Sequence, residues 1–98
     1  MGFNLVFLER FEKELFEAID WYANTSIRNS EKLVEDVNLT LDALSKNPFV
    51  YQKLNKKRRK LNLKIYPYKI VYELGDDAII IVALVHHKRH PRYWRRTK

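Results

Sequence analysis

Ninety-eight residues, 46% of them hydrophobic with only two Gly and three Pro, specify one domain with a single two-layer core rather than a disordered chain. The absence of Cys excludes disulfides, thiolate metal ligation and a cysteine nucleophile, and it fits a reducing, cytoplasmic setting. The formal charge of +7 is unevenly divided: residues 1–50 hold five Lys or Arg against nine Asp or Glu, a net −4, and residues 51–98 hold fourteen against three, a net +11. A one-signed half of this kind attracts polyanions or an acidic partner.

Phe3 to Leu8 is a short apolar strand candidate, and Glu9 and Arg10 interrupt it too early for a secretory leader. Phe11, Leu15, Ile19 and Tyr22 then recur at helical spacing, with Trp21 and Tyr22 read as closing the helix inside a hairpin core. Asn24, Thr25 and Ser26 break that helix. Asn29 or Ser30 is the expected cap of a second one, with Glu31 in its first turn and Leu33, Val37, Leu41 and Leu44 as its apolar stripe, ending at Asn47-Pro48. The short connection predicts an antiparallel helical hairpin lying on a flat partner.

Arg59 to Ile65 alternates, with Leu61, Leu63 and Ile65 on one face and Lys60, Asn62 and Lys64 on the other, which predicts a half-buried strand with a basic outer face. Tyr68, Ile70, Tyr72 and Leu74 share one face of a second strand, Gly75-Asp76-Asp77 supplies turn chemistry, and Ala78 to Val85 reads as a strand covered on both faces. That apolar run is too short to span a bilayer. The expected fold is α+β, in the order β-α-α-β-β-β, with the N-terminal hairpin packed on a small, mainly antiparallel sheet and the first strand beside a later one. One domain covers residues 1–98. Tyr66, Tyr68 and Tyr72 are read as core or sheet-face packing.

The run Arg59-Lys60-Leu61, then YPYKIVYEL, the turn and AIIIVALVHHKRHPRYW, following a helical hairpin, resembles the RelE/ParE superfamily of bacterial type II toxins over nearly the whole chain. The resemblance implies a cytoplasmic toxin held inactive by a cognate antitoxin protein, with no cofactor, no metal and no membrane association. It also implies one of two targets, the ribosome with its mRNA or DNA gyrase. The long hairpin and the H-x-K-R-x-P-x-Y-W ending lie nearer the ParE side, whose gyrase poisoning needs a rigid platform and no catalytic set.

On the alternative reading, a metal-independent mRNA endoribonuclease, attack by a ribose 2′-hydroxyl needs a base, cations for the phosphorane charge and a donor for the leaving oxygen. Arg59 and Arg89 are the candidates to hold the phosphate, His86 or His87 to exchange protons, and Tyr93 to stack or donate. His86 and His87 point to opposite faces while the strand persists, so one of them faces a given groove. Lys56, Lys57, Arg58, Lys60 and Lys64, with Arg92, Trp94, Arg95 and Arg96 in the tail, are candidates for contact with target or antitoxin. Against these stand plainer readings: Lys56 to Lys60 as a solvated run, Arg59 as a cap on the core edge, Trp94 as an apolar clamp. A non-toxic basic RNA- or partner-binding module is the remaining alternative.

Overall fold

The computed structural model describes residues 3–88. Within them the elements follow the expected order: β1 (Asn4–Phe7), α1 (Glu9–Ala23), α2 (Ile27–Lys46), β2 (Arg58–Asn62), β3 (Tyr68–Leu74) and β4 (Ala78–His86). The four strands form one sheet in the order β1-β4-β3-β2. β1 runs parallel to β4, and the other two pairings are antiparallel.

α1 begins without a side-chain cap, but Glu9 and Glu12 place negative charge at the positive end of the helix dipole. It closes where the Asn24 and Ser26 N–H groups donate to Asp20 and Tyr22 carbonyls. α2 starts earlier than its sequence suggests. Ser26 is the cap, its Oγ accepting from the Asn29 N–H at 3.3 Å, so Asn29 and Ser30 are already helical and Glu31 lies beyond the first turn. Ser30 instead donates its hydroxyl to the Ile27 carbonyl.

Phe11 and Ala18 of α1 and Leu33, Val37, Leu41 and Leu44 of α2 are buried against Leu63, Tyr68, Ile70, Tyr72, Ile79, Ile81 and Leu84 of the sheet. Each fully buried Leu or Ile contributes roughly 1.5–3 kcal/mol relative to an exposed one, which makes this layer the main source of stability. Leu15, Ile19 and Tyr22 pack on its rim. Trp21 does not join it: one residue off the stripe, it is rotated away and 56% exposed, contrary to the expected place in the hairpin core.

β4 is buried on both faces, as its unbroken apolar run predicts, and a second cluster of Val71, Val82, Ala83 and Val85 lies away from the hairpin. A β-bulge makes this possible. Val71 pairs with Ala83 and Tyr72 with Ile81, leaving Val82 unopposed. Before the bulge Ile79 and Ile81 face the helices; after it Leu84 does.

β2 is shorter than expected and shifted, Arg58–Asn62 rather than Arg59 to Ile65. Leu63 is still buried, but Ile65 is 77% exposed. The cause is Asp36 of α2, whose carboxylate accepts the N–H groups of Lys64 at 3.2 Å and of Ile65 and Tyr66 at 2.9 Å. Three consecutive amides turned toward one side chain cannot also serve a strand ladder.

Candidate functional site

The segment Gln52 to Lys60 folds as a small hairpin against the start of β2. Lys60 N–H donates to the Gln52 carbonyl, and the Leu54 and Asn55 N–H groups donate to the Arg58 carbonyl. At its tip the Asn55 side-chain oxygen accepts from the Lys57 and Arg58 N–H groups at 2.9 and 3.0 Å, an arrangement Asn favours in turns. Lys53, Lys56 and Lys57 are exposed on this fixed hairpin, where they line one cleft with Arg58, Arg59 and Glu73.

The five cations from Lys56 to Lys60 therefore separate into different environments. Lys56 and Lys57 stand in solvent. Arg58 pairs across the ladder with Glu73, its Nε 2.8 Å from a carboxylate oxygen. Arg59 pairs in register with Tyr72 and so lies on the helix-packed face. Its Nη1 donates to the carbonyls of Phe49 at 3.0 Å and Tyr51 at 2.8 Å. Lys60, opposite Val71, takes the other face. Lys64 is exposed while its backbone is held by Asp36.

Arg59 and Tyr72 act together on the chain that leaves α2. The Tyr72 hydroxyl donates to the Pro48 carbonyl at 2.7 Å, next to the two carbonyls that Arg59 holds. Burial pushes the Tyr72 phenol from its ordinary 10.0 up to about 12, against the opposing pull of the Arg59 charge. Folding stability should be insensitive to this group below pH 10.0 and fall as pH rises toward about 12, because the unfolded chain loses the proton first. Tyr66 is shifted in the same direction. Denaturant melts of the parent and of Tyr72→Phe at successive alkaline pH values check this: the variant should show the shallower decline.

At the other end of the sheet, β4 terminates at His86, whose ring meets the edge of Tyr68 at 5.0 Å and whose Nδ1 accepts from the Lys88 N–H at 3.0 Å. His87 is exposed and donates its N–H to the Pro67 carbonyl. Tyr68 in turn contacts Tyr22, which stacks edge-on with the half-buried Tyr66. The packing roles expected of the three tyrosines are thus what the structure contains. Arg59 and His86 are not brought together. Tyr72 and Tyr68, their respective partners on β3, are four residues apart, roughly 13 Å along a strand. Arg89, Arg92, Tyr93, Trp94, Arg95 and Arg96 lie outside the described residues.

Two acids that sequence reasoning passed over hold the layers in place. Asp36 ties α2 to the β2–β3 connection. Glu14 of α1, equally buried, accepts the Leu84 N–H at 2.9 Å and meets Arg10 Nε at 3.4 Å. β1 covers β4 only from Ala78 to Ile81, and the Glu14 carboxylate serves the ladder just past that point. The available signal was position: Glu14 and Asp36 each sit three residues after a core residue, Phe11 and Leu33, inside the apolar stripes.

Residues 5–91 match the family model described as the ParE toxin of the type II toxin-antitoxin system, parDE. The chain belongs to the ParE toxin family. Toxin ParE2 of Mycobacterium tuberculosis (strain ATCC 25618 / H37Rv) is 32% identical over 84 residues, spanning 82% of this chain and 77% of that one. Among solved structures, the chromosomal ParDE system from P. aeruginosa aligns with a TM-score of 0.76 at 16% identity, over 87% of this chain and 96% of that one. The isolated E. coli RelE toxin aligns with a TM-score of 0.61 at 18% identity, over 98% and 96%. A ParE-family toxin on the RelE/ParE fold is therefore the framework in which these residues act, and among the described residues no helix is long and apolar enough to cross a membrane.

Proposed function

We propose that this chain is the toxin of a type II toxin-antitoxin pair that halts growth by poisoning DNA gyrase, and that its cognate antitoxin neutralises it. The observation that carries this reading is the state of Arg59. Of the two arginines named for an RNase mechanism it is the one among the described residues, and its Nη1 is committed to the Phe49 and Tyr51 carbonyls. An RNase would need that group aimed at a phosphate, beside a proton-transfer residue. A poison needs a rigid surface with exposed charge, which the pinned hairpin with Lys53, Lys56 and Lys57 supplies.

Induced expression in bacteria distinguishes the targets. The expected result is growth arrest with altered plasmid supercoiling and accumulated gyrase-linked DNA breaks, and transcripts whose ends are unchanged. New transcript ends mapping to ribosome-bound mRNA, with supercoiling intact, would overturn the gyrase reading in favour of the endonuclease. Neutralisation by an adjacent, co-expressed acidic partner tests the antitoxin half of the proposal.

A further inference from the structure

The helical layer carries a surface of opposite character to the basic hairpin. Glu9, Glu12, Glu17 and Asp20 surround Phe16 in one shallow depression on the outer side of α1, with Lys13 and Arg10 as its cations. Arg10 there is ion-paired to Glu14. Phe16 is 68% exposed, a large apolar side chain ringed by carboxylates. The hairpin mirrors this composition. Leu54, 43% exposed, adjoins Lys53 at a tip that also bears Lys56 and Lys57. Each surface therefore has one apolar anchor and several like charges, and the signs are opposite.

We infer that the free toxin associates head to tail with a second copy of itself, the hairpin of one molecule seating Leu54 against Phe16 of the next while its lysines meet Glu12, Glu17 and Asp20. Both halves of the contact are present on every molecule in equal amount. Opposite fields orient the encounter, and the apolar anchors limit how far the pair can slide. Because the two surfaces are different, the contact is heterologous and extends to a third copy or closes into a ring. Its consequence is that toxin in excess of its partners covers its own exposed lysines. The contact is small and salt-sensitive, so it forms at high toxin concentration and yields to a tighter binder.

Sedimentation velocity on the full chain, over a concentration series, tests this. At about 50 mM salt the mean mass should rise with concentration, and at about 0.5 M salt it should fall to that of the monomer, since the screening length shrinks to a few ångströms. Glu17→Lys with Asp20→Lys makes the α1 surface basic, and Lys56→Glu with Lys57→Glu makes the hairpin acidic. Each double variant alone should be monomeric, and an equimolar mixture of the two should associate again, because each altered surface then meets its complement. A parent that stays monomeric throughout overturns the proposal, as does association that survives the hairpin reversal. So does a mixture that stays monomeric although both variants melt like the parent. Loss of binding to an acidic antitoxin on hairpin reversal, with the parent monomeric, would assign the lysines to that partner instead.

Discussion

Asp36→Ala should remove a large part of the domain's stability. The carboxylate is buried and accepts three consecutive backbone amides from the connection between β2 and β3. Removing it strands those donors at the edge of the core, and hydrogen bonds to a charged acceptor are the strong kind. A loss of roughly 3 kcal/mol is expected, a large part of the 5–15 kcal/mol typical of a whole domain. For a chain of this size that is a fall in melting temperature of about 15 °C. Asp36→Asn keeps one acceptor oxygen but turns an NH2 group toward the amides, so it should recover only part of the loss. Thermal melts of the two variants check the order. An Asp36→Ala protein that melts within a few degrees of the parent would show that water satisfies the amides and that the connection does not depend on α2.

Arg59→Ala should weaken the fold and reduce toxicity only through that weakening. It deletes two charge-assisted hydrogen bonds to the Phe49 and Tyr51 carbonyls, with an expected cost of about 2 kcal/mol, or roughly 10 °C in melting temperature. Arg59→Lys should be intermediate, because the ammonium keeps the charge but stands on a shorter side chain than the Nη1 nitrogen that holds both carbonyls. The decisive measurement pairs melting temperature with growth arrest at two culture temperatures. Toxicity of Arg59→Ala should return toward the parent's in the cooler culture, where the variant is folded. A variant that is fully folded and still harmless would give the guanidinium a direct part in toxicity and return Arg59 to the list of catalytic groups.

Much of this architecture could be read from the residues because it rests on periodicity. Leu33, Val37, Leu41 and Leu44 mark a helix face, and Tyr68, Ile70 and Tyr72 a strand face, without knowledge of any partner. The features that escaped depend on distant pairs. The partners of Asp36 lie 28 to 30 residues away and the backbone amide that Glu14 accepts lies 70 away, so the local pattern does not contain the contacts that make these acids structural. Trp21 was misplaced because bulk and apolarity do not fix the angle around a helix, and Tyr22 beside it holds the inward position. The cation run was legible as charge but not as geometry. Which of Arg58, Arg59 and Lys60 faces the helices follows from strand phase, and what Arg59 then grips follows from the path of residues 48–51.

The unopposed Val82 makes the last strand a mechanism with a change of gear. Strand residues alternate sides at every step, so the parity established by Ile79 and Ile81 would, if continued, send Leu84 and His86 away from the helices. The single extra residue inverts that parity midway, which is why Leu84 reaches the helical side, its amide meets Glu14, and His86 lies against Tyr68. An unbroken apolar run tolerates such an inversion because both of its sides are buried, and either phase finds greasy neighbours. The count of residues between the turn at Gly75 and His86 is consequently a setting rather than a length: shortening it by one would leave hydrophobicity almost unchanged while exchanging the two sides of everything beyond.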